Sequence, residues 1–308
     1  VPATLSTTNG GSVTGFTKEM WNALLAGDIA DWSQIDPSIN TGNTQVVVCR
    51  RSQGSGTQAT YNAYFNQWPC TTNSLIPGSD SIPTRADNSF GISGYTLGGT
   101  DAITINPTAG YTVVENPSSG NVRDCLYKAQ NNQNHTFNWT DDLGGVHAVT
   151  VQFSASANPF RAIGTLSNDS TEGNNGANTL TGAWTFRAMD GVAGVIAGLA
   201  NKADMRTGKW DFYSEVTMQY RTDGYINTAG NFVSGAVPVG IEQQRRDFID
   251  LFISRSADPA ILSTISSTVA NVASMAVPST LYNPSVNSNV GFGSRGGNQC
   301  APLRWVAF

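Results

Sequence analysis

A strand that runs directly into a glycine- and serine-rich turn and then into a helix constrains this chain more than any other feature. Val46-Val47-Val48-Cys49 is a short apolar run of the kind that forms a buried strand, and Gln58 to Phe65 carries a helical pattern. Between them lies Arg50-Arg51-Ser52-Gln53-Gly54-Ser55-Gly56-Thr57. That order aims the first free N–H groups of the helix at one point, where the positive end of the helix dipole favours an anion. Ser55 and Thr57 add hydroxyl donors, and Gly54 and Gly56 let the backbone approach closely. Arg51 supplies a planar fork suited to a tetrahedral oxyanion. Arg51, Ser55, Gly56 and Thr57 are therefore the candidate ligand-binding residues. The plainer alternative is a turn that only precedes a helix. The stretch lacks the Gly-Lys-Ser/Thr ending of a nucleotide P-loop, and Ser55 lacks the Gly-x-Ser-x-Gly frame of a nucleophile elbow.

Upstream, Thr17 is placed to cap a helix, Trp21, Leu24 and Leu25 share one of its faces, and Gly27 is a stop signal. Trp32 then reads as a core anchor for the turn that follows.

The segment from Val13 to Ile35 and the Arg51 loop downstream together resemble the phosphate-binding branch of the periplasmic solute-binding proteins, the receptors of phosphate ABC transporters, and their secreted DING relatives. The first segment is similar to the family's run of leucine-threonine, amphipathic helix, glycine and asparagine-tryptophan. Weaker echoes are Ser118-Ser119-Gly120-Asn121-Val122, Ala162-Ile163-Gly164-Thr165-Leu166-Ser167 and Gly208 to Glu215. The match is specific over residues 13 to 67 and loose beyond.

The resemblance implies an α/β, two-lobed periplasmic-binding-protein-like fold of type II. Residues 1–208 would form the second lobe with the oxyanion loop, and 209–308 the C-terminal part of the first. The family's opening strand, its Gly-Ser-Thr-Phe-like loop and the serine and aspartate of that lobe have no counterpart here. The first lobe is therefore expected to be incomplete in this chain. Gln53 stands where many relatives carry an acidic residue. The implied function is an exported receptor that holds phosphate or a similar oxyanion in an interlobe cleft for an ABC transporter permease. The alternative is a structural, self-associating extracellular protein on the same fold, its missing half-lobe completed by another chain. An enzyme has the least support, and no catalytic residue, cofactor or metal is assigned.

With 308 residues there is room for two lobes. Only 13% of residues are charged, a composition common in exported proteins, and the net charge of −5 without a basic stripe argues against nucleic acid. No apolar run approaches the ~18 residues of a membrane span, and no signal peptide is recognised. A periplasmic or extracellular location follows. Cys49, Cys70, Cys125 and Cys300 lack zinc spacing, and the even count suits two disulfides, with free buried thiols as the alternative. Three pairings are possible. Cys49–Cys70 with Cys125–Cys300 is the one expected, tying the strand end to the far end of its helix and stapling the tail.

Runs at Ala102–Ile105, Tyr111–Val114 and Val146–Val151 read as strands. Asn131 to Asn134 reads as a surface loop. The sequons at Asn134, Asn138 and Asn168 are given no role. Asp141-Asp142, and Asp169 with Glu172, read as solvated loop charges rather than an acid–base pair or calcium site. Asp190 reads as a helix cap. Ile241, Phe248, Ile249 and Phe252 are expected on the inward stripe of a helix, with Arg245 and Arg246 on its wet face. Asp258-Pro259 opens another helix, and the apolar ending Pro302 to Phe308 is expected to dock or pair.

Overall fold

The computed structural model of the chain divides into two units, Val1–Asn201 and Lys202–Phe308. The structure describes residues 13, 15–52, 55–67, 70, 95–141, 143–166, 184, 187–190, 212, 224–227, 229–235, 241–256, 293–294, 298, 300–301 and 304–305. Gln53, Gly54, Asp142, the Asn168 sequon, Asp169 with Glu172, most of the Gly208–Glu215 segment, the helix expected after Asp258-Pro259 and most of the apolar ending lie outside the described residues.

The first unit begins with β1 (Gly15–Phe16) and α1 (Lys18–Ala26). Thr17 accepts the Met20 N–H at 3.1 Å, and Gly27 ends the helix at φ 80°, so both local signals operate. The chain continues through β2 (Val46–Arg51), α2 (Gly56–Phe65), β3 (Ile103–Ile105), β4 (Thr112–Asn116), α3 (Ser119–Gln130), β5 (His135–Thr140), β6 (Val146–Val151), β7 (Arg161–Gly164) and β8 (Ala188–Met189), the last parallel to β1.

Strands β4, β2 and β7 form a parallel sheet in that spatial order, with Val48 opposite both Val113 and Ile163. β2 is buried from Val46 to Arg50, as a strand covered on both faces requires of a continuous apolar run. The chain passes from β2 to β4 and then steps back over β2 to β7, so α2 and α3 cover opposite faces. Side-chain alternation makes this visible. Val47 and Cys49 pack with Val122, Cys125 and Leu126 of α3, whereas the Arg50 charge lies by Tyr61 of α2. β7 comes so close to β2 that a side chain at Gly164 would put its Cβ 2.5 Å from the Cys49 carbonyl oxygen. Trp32 is fully buried and donates its indole N–H to the Arg161 carbonyl at 2.9 Å, tying the α1 side to β7.

A second sheet, β3–β6–β5, pairs β3 with β6 in parallel and β5 with β6 antiparallel. His135, Phe137 and Trp139 of β5 and His147, Val149 and Val151 of β6 alternate inward, and Ile103, Ile105 and Phe153 join the same core.

The disulfide is Cys49–Cys125, with Cα atoms 6.1 Å apart, so neither Cys49–Cys70 nor Cys125–Cys300 forms. The reason is strand alternation. Cys49 faces α3, whereas Cys70 follows α2 on the other side of the sheet. Cys70 and Cys300 are also disulfide-bonded and none of the four is free, which gives two disulfides.

In the second unit β9 (Gly224–Ile226) and β10 (Phe232–Ser234) form a hairpin, followed by α4 (Ile241–Ser256) and an antiparallel pair, β11 (Gly293–Ser294) and β12 (Arg304–Trp305). The stripe expected inward on α4 is exposed: Phe248 by 66%, Phe252 by 53%, with Leu251 and Ile249 beside them. Arg246, expected in solvent, donates to the Gly224 carbonyl at 2.9 Å and faces the hairpin instead. The two units thus make a mixed α/β protein. No helix among the described residues is long and apolar enough to cross a membrane.

Candidate functional site

The carboxyl ends of β2 and β4 lie side by side, Arg51 opposite Asn116, and each strand leads within a few residues into a serine-capped helix. In open α/β sheets ligands bind outside the carboxyl ends of the strands, and this is that edge of the β4–β2–β7 sheet. Ser52 donates its N–H to the Asn116 carbonyl at 3.0 Å, and Ser55 N–H to the Ser52 carbonyl at 3.1 Å, closing the turn. Gln58 locks the turn to the helix. Its Oε1 accepts the Arg51 N–H at 3.1 Å, and its Nε2 donates to Asn62 Oδ1 at 2.8 Å.

Ser55 is the N-cap of α2, its Oγ accepting the Gln58 N–H, so the hydroxyl proton remains available to an acceptor outside the helix. A Cβ at Gly56 would meet nothing within 4 Å, which leaves the approach to the first turn open. Thr57 follows, half-buried. The structure therefore sets Ser55, Gly56 and Thr57 together at the start of α2.

Arg51 goes elsewhere. Its side chain lies on the α3 face, where Nη1 donates to Ser119 Oγ at 2.7 Å and Nη2 to the Pro117 carbonyl at 3.3 Å. Nε is buried without a hydrogen-bond partner. Burial lowers the Arg51 pKa, and among the described residues no carboxylate pairs with it. Its neighbour Arg50 points to the α2 face, where burial pulls its pKa down and Glu115, 3.4 Å away, pulls it up. One arginine is thus a structural ion pair. The other is a half-buried cation at the positive end of a helix.

Neither α2 nor α3 carries an acidic residue in its first turn. α1 shows the alternative, with Glu19 in its first turn and Asp190 accepting the Lys18 N–H at 3.1 Å. Asp190 thus serves the start of α1, whose N-cap is Thr17, while the helix it was expected to cap lies outside the described residues.

Both histidines are fully buried and both have carboxylate partners, which the sequence reading missed. His135 sits between Asp124 Oδ2 at 2.9 Å and Asn116 Oδ1 at 2.8 Å. His147 sits between Asp141 Oδ2 at 3.0 Å and the Asp101 carbonyl at 2.9 Å, with Tyr95 and Trp139 around the ring. Asp141 is no solvated loop charge. Its carboxylate is sealed and accepts the Gly98, Leu143 and Gly145 N–H groups as well as His147. The His147 bond above all, with those backbone donors, outweighs burial and brings its pKa to about 2. Burial acts against a charged His147 ring, yet the bonds to Asp141 and Asp101 raise its pKa. The signal was the alternation in β5 and β6, which puts both imidazoles on the inward face. Among the described residues no group of three or more His, Cys, Asp or Glu is placed to hold a metal.

No protein family, curated protein or solved structure matches the chain.

Proposed function

We propose that the chain is an exported solute-binding protein that holds phosphate or a similar oxyanion at the carboxyl edge of the β4–β2–β7 sheet and serves an ABC transporter. The observation that carries this reading is Arg51. Its guanidinium lies against the first turn of α3 with no carboxylate among the described residues, and two acid-free helix starts flank it. A cation at the positive end of a helix is an unfavourable placement that a bound anion relieves. Two disulfides and the lack of a membrane-spanning helix among the described residues are compatible with a periplasmic or extracellular location. The two-lobed type II arrangement and hinge closure around the anion belong to the same proposal.

Calorimetric titration with inorganic phosphate tests it. The wild type is expected to bind, and Arg51→Gln, with an unchanged circular dichroism spectrum, to lose about 30-fold or more in affinity. Absence of binding in the wild type, or equal binding in both, overturns the reading.

A second reading, a structural protein that associates with further copies of itself, rests on the exposed Phe248, Leu251 and Phe252 of α4. It requires a sedimentation mass that rises with concentration and returns to that of the monomer in Phe248→Glu. A monomer at every concentration rejects it.

A further inference from the structure

His135 carries a polar link from the second sheet to the edge of the first. The other inward positions of β5 hold Phe137 and Trp139, and an apolar side chain would fill this one as well. The imidazole is fully buried, and so is Asn116, the last residue of β4. Asn116 Nδ2 donates to the Val114 carbonyl at 3.0 Å and to the Arg50 carbonyl at 3.3 Å. Its Oδ1 is thereby turned to His135, 2.8 Å away, and the ring Nε2 has to be the donor. Asp124 Oδ2, 2.9 Å from Nδ1, holds the ring from the other side.

What Asn116 grips is the chain on either side of Arg51. Its side chain takes the Arg50 carbonyl, and its own carbonyl accepts the Ser52 N–H at 3.0 Å. The guanidinium of Arg51 is fixed separately, by Ser119 at the start of α3. Asp124 lies further along that same helix, and its neighbour Cys125 is bonded to Cys49 of β2. The links therefore close on themselves. They run from Arg51 to Ser119, along α3 to Asp124, then through His135 and Asn116 to the residues that flank Arg51. In a closed set of buried hydrogen bonds, loosening one link is felt by the others. The other buried pair, His147 with Asp141, bonds instead to Asp101 and Gly98.

We infer that His135 is a positioning residue for oxyanion binding: braced by Asp124, it holds Asn116 in the orientation that brackets Arg51. The inference rests on the oxyanion-binding reading above and adds to that site a buried side chain that acts through its neighbours. Without the Nε2 donor, Asn116 Oδ1 is a buried acceptor with nothing to accept. The amide then turns in search of a donor and releases the Arg50 carbonyl.

Calorimetric titration with inorganic phosphate tests this role. His135→Leu removes the donor and is expected to weaken binding about tenfold. His135→Gln carries an amide N–H of similar reach and is expected to recover to within about threefold of wild type. His147→Leu makes the same apolar change at the other buried imidazole and is expected to bind within about twofold of wild type. Equal binding by wild type and His135→Leu, no recovery in His135→Gln, or an equal loss in His147→Leu overturns the positioning role while the phosphate reading stands. A wild type that binds no phosphate removes both. Should His135→Leu not fold, proton–nitrogen correlation spectra of the wild-type side chains decide. Saturating phosphate is expected to shift the His135 Nε2–H signal and leave those of His147 in place. An unmoved His135 signal overturns the role.

Discussion

Replacing Cys49 and Cys125 together by alanine is expected to destabilise the fold by about 4–5 kcal/mol, from chain entropy alone. The bridge spans 76 positions of sequence, and releasing a loop of that length frees about 4.5 kcal/mol of unfolded-state entropy. Against a typical total of about 5–15 kcal/mol this is a large fraction. Both cysteines are fully buried among Val47, Val122 and Leu126, so the variant loses packing as well. Urea melts of wild type and variant measure the shift in midpoint. Disulfide mapping under non-reducing conditions is the direct check, with a peptide joining Cys49 to Cys125. A Cys49–Cys70 peptide would contradict the packing of β2 against α3.

The second large effect is expected at His147 and Asp141. The raised pKa of His147 contributes stability that is complete below its ordinary 6.5 and is lost as pH climbs through the raised value. The depressed pKa of Asp141 contributes stability present above its ordinary 3.8 and lost as pH falls towards about 2. The pair is therefore fully stabilising on the acidic side of neutrality, and the wild-type melting temperature should decline at alkaline pH. His147→Gln should flatten that alkaline decline. Asp141→Asn should lower the melting temperature by roughly 10 °C at pH 6, because its amide turns donors towards His147 and the turn N–H groups that need an acceptor. Matching pH profiles for wild type and His147→Gln would show that the pair does not carry the linkage.

Some of this was legible because it is local. The Thr17 cap and Gly27 stop depend on contacts within a few residues. The buried β2 and the serine-capped start of α2 are likewise written in consecutive side chains. Ser55, Gly56 and Thr57 could be placed at the start of a helix for the same reason. The disulfide could not be read this way. The alternation of β2 shows that Val47 and Cys49 share a face, but not which helix covers it. Asp141 looked like a loop charge because its acceptor role depends on Gly98, from a distant segment, as well as on its own turn. The α4 stripe has the period of a buried face, and period alone does not state that a partner surface exists.

The sequence by itself determined the units: a strand, a turn of small residues and a helix whose capping needs only i to i+4 contacts. It also placed a cation at the end of the strand. Only the tertiary structure decided where that cation acts. The step from β4 back over β2 puts α3 on the face to which the odd residues of β2 point. That carries Arg51 to a serine 68 positions away and Cys49 to Cys125. Strand order and the covering of each face are set by burial summed over the whole core, and no window of consecutive residues contains that sum.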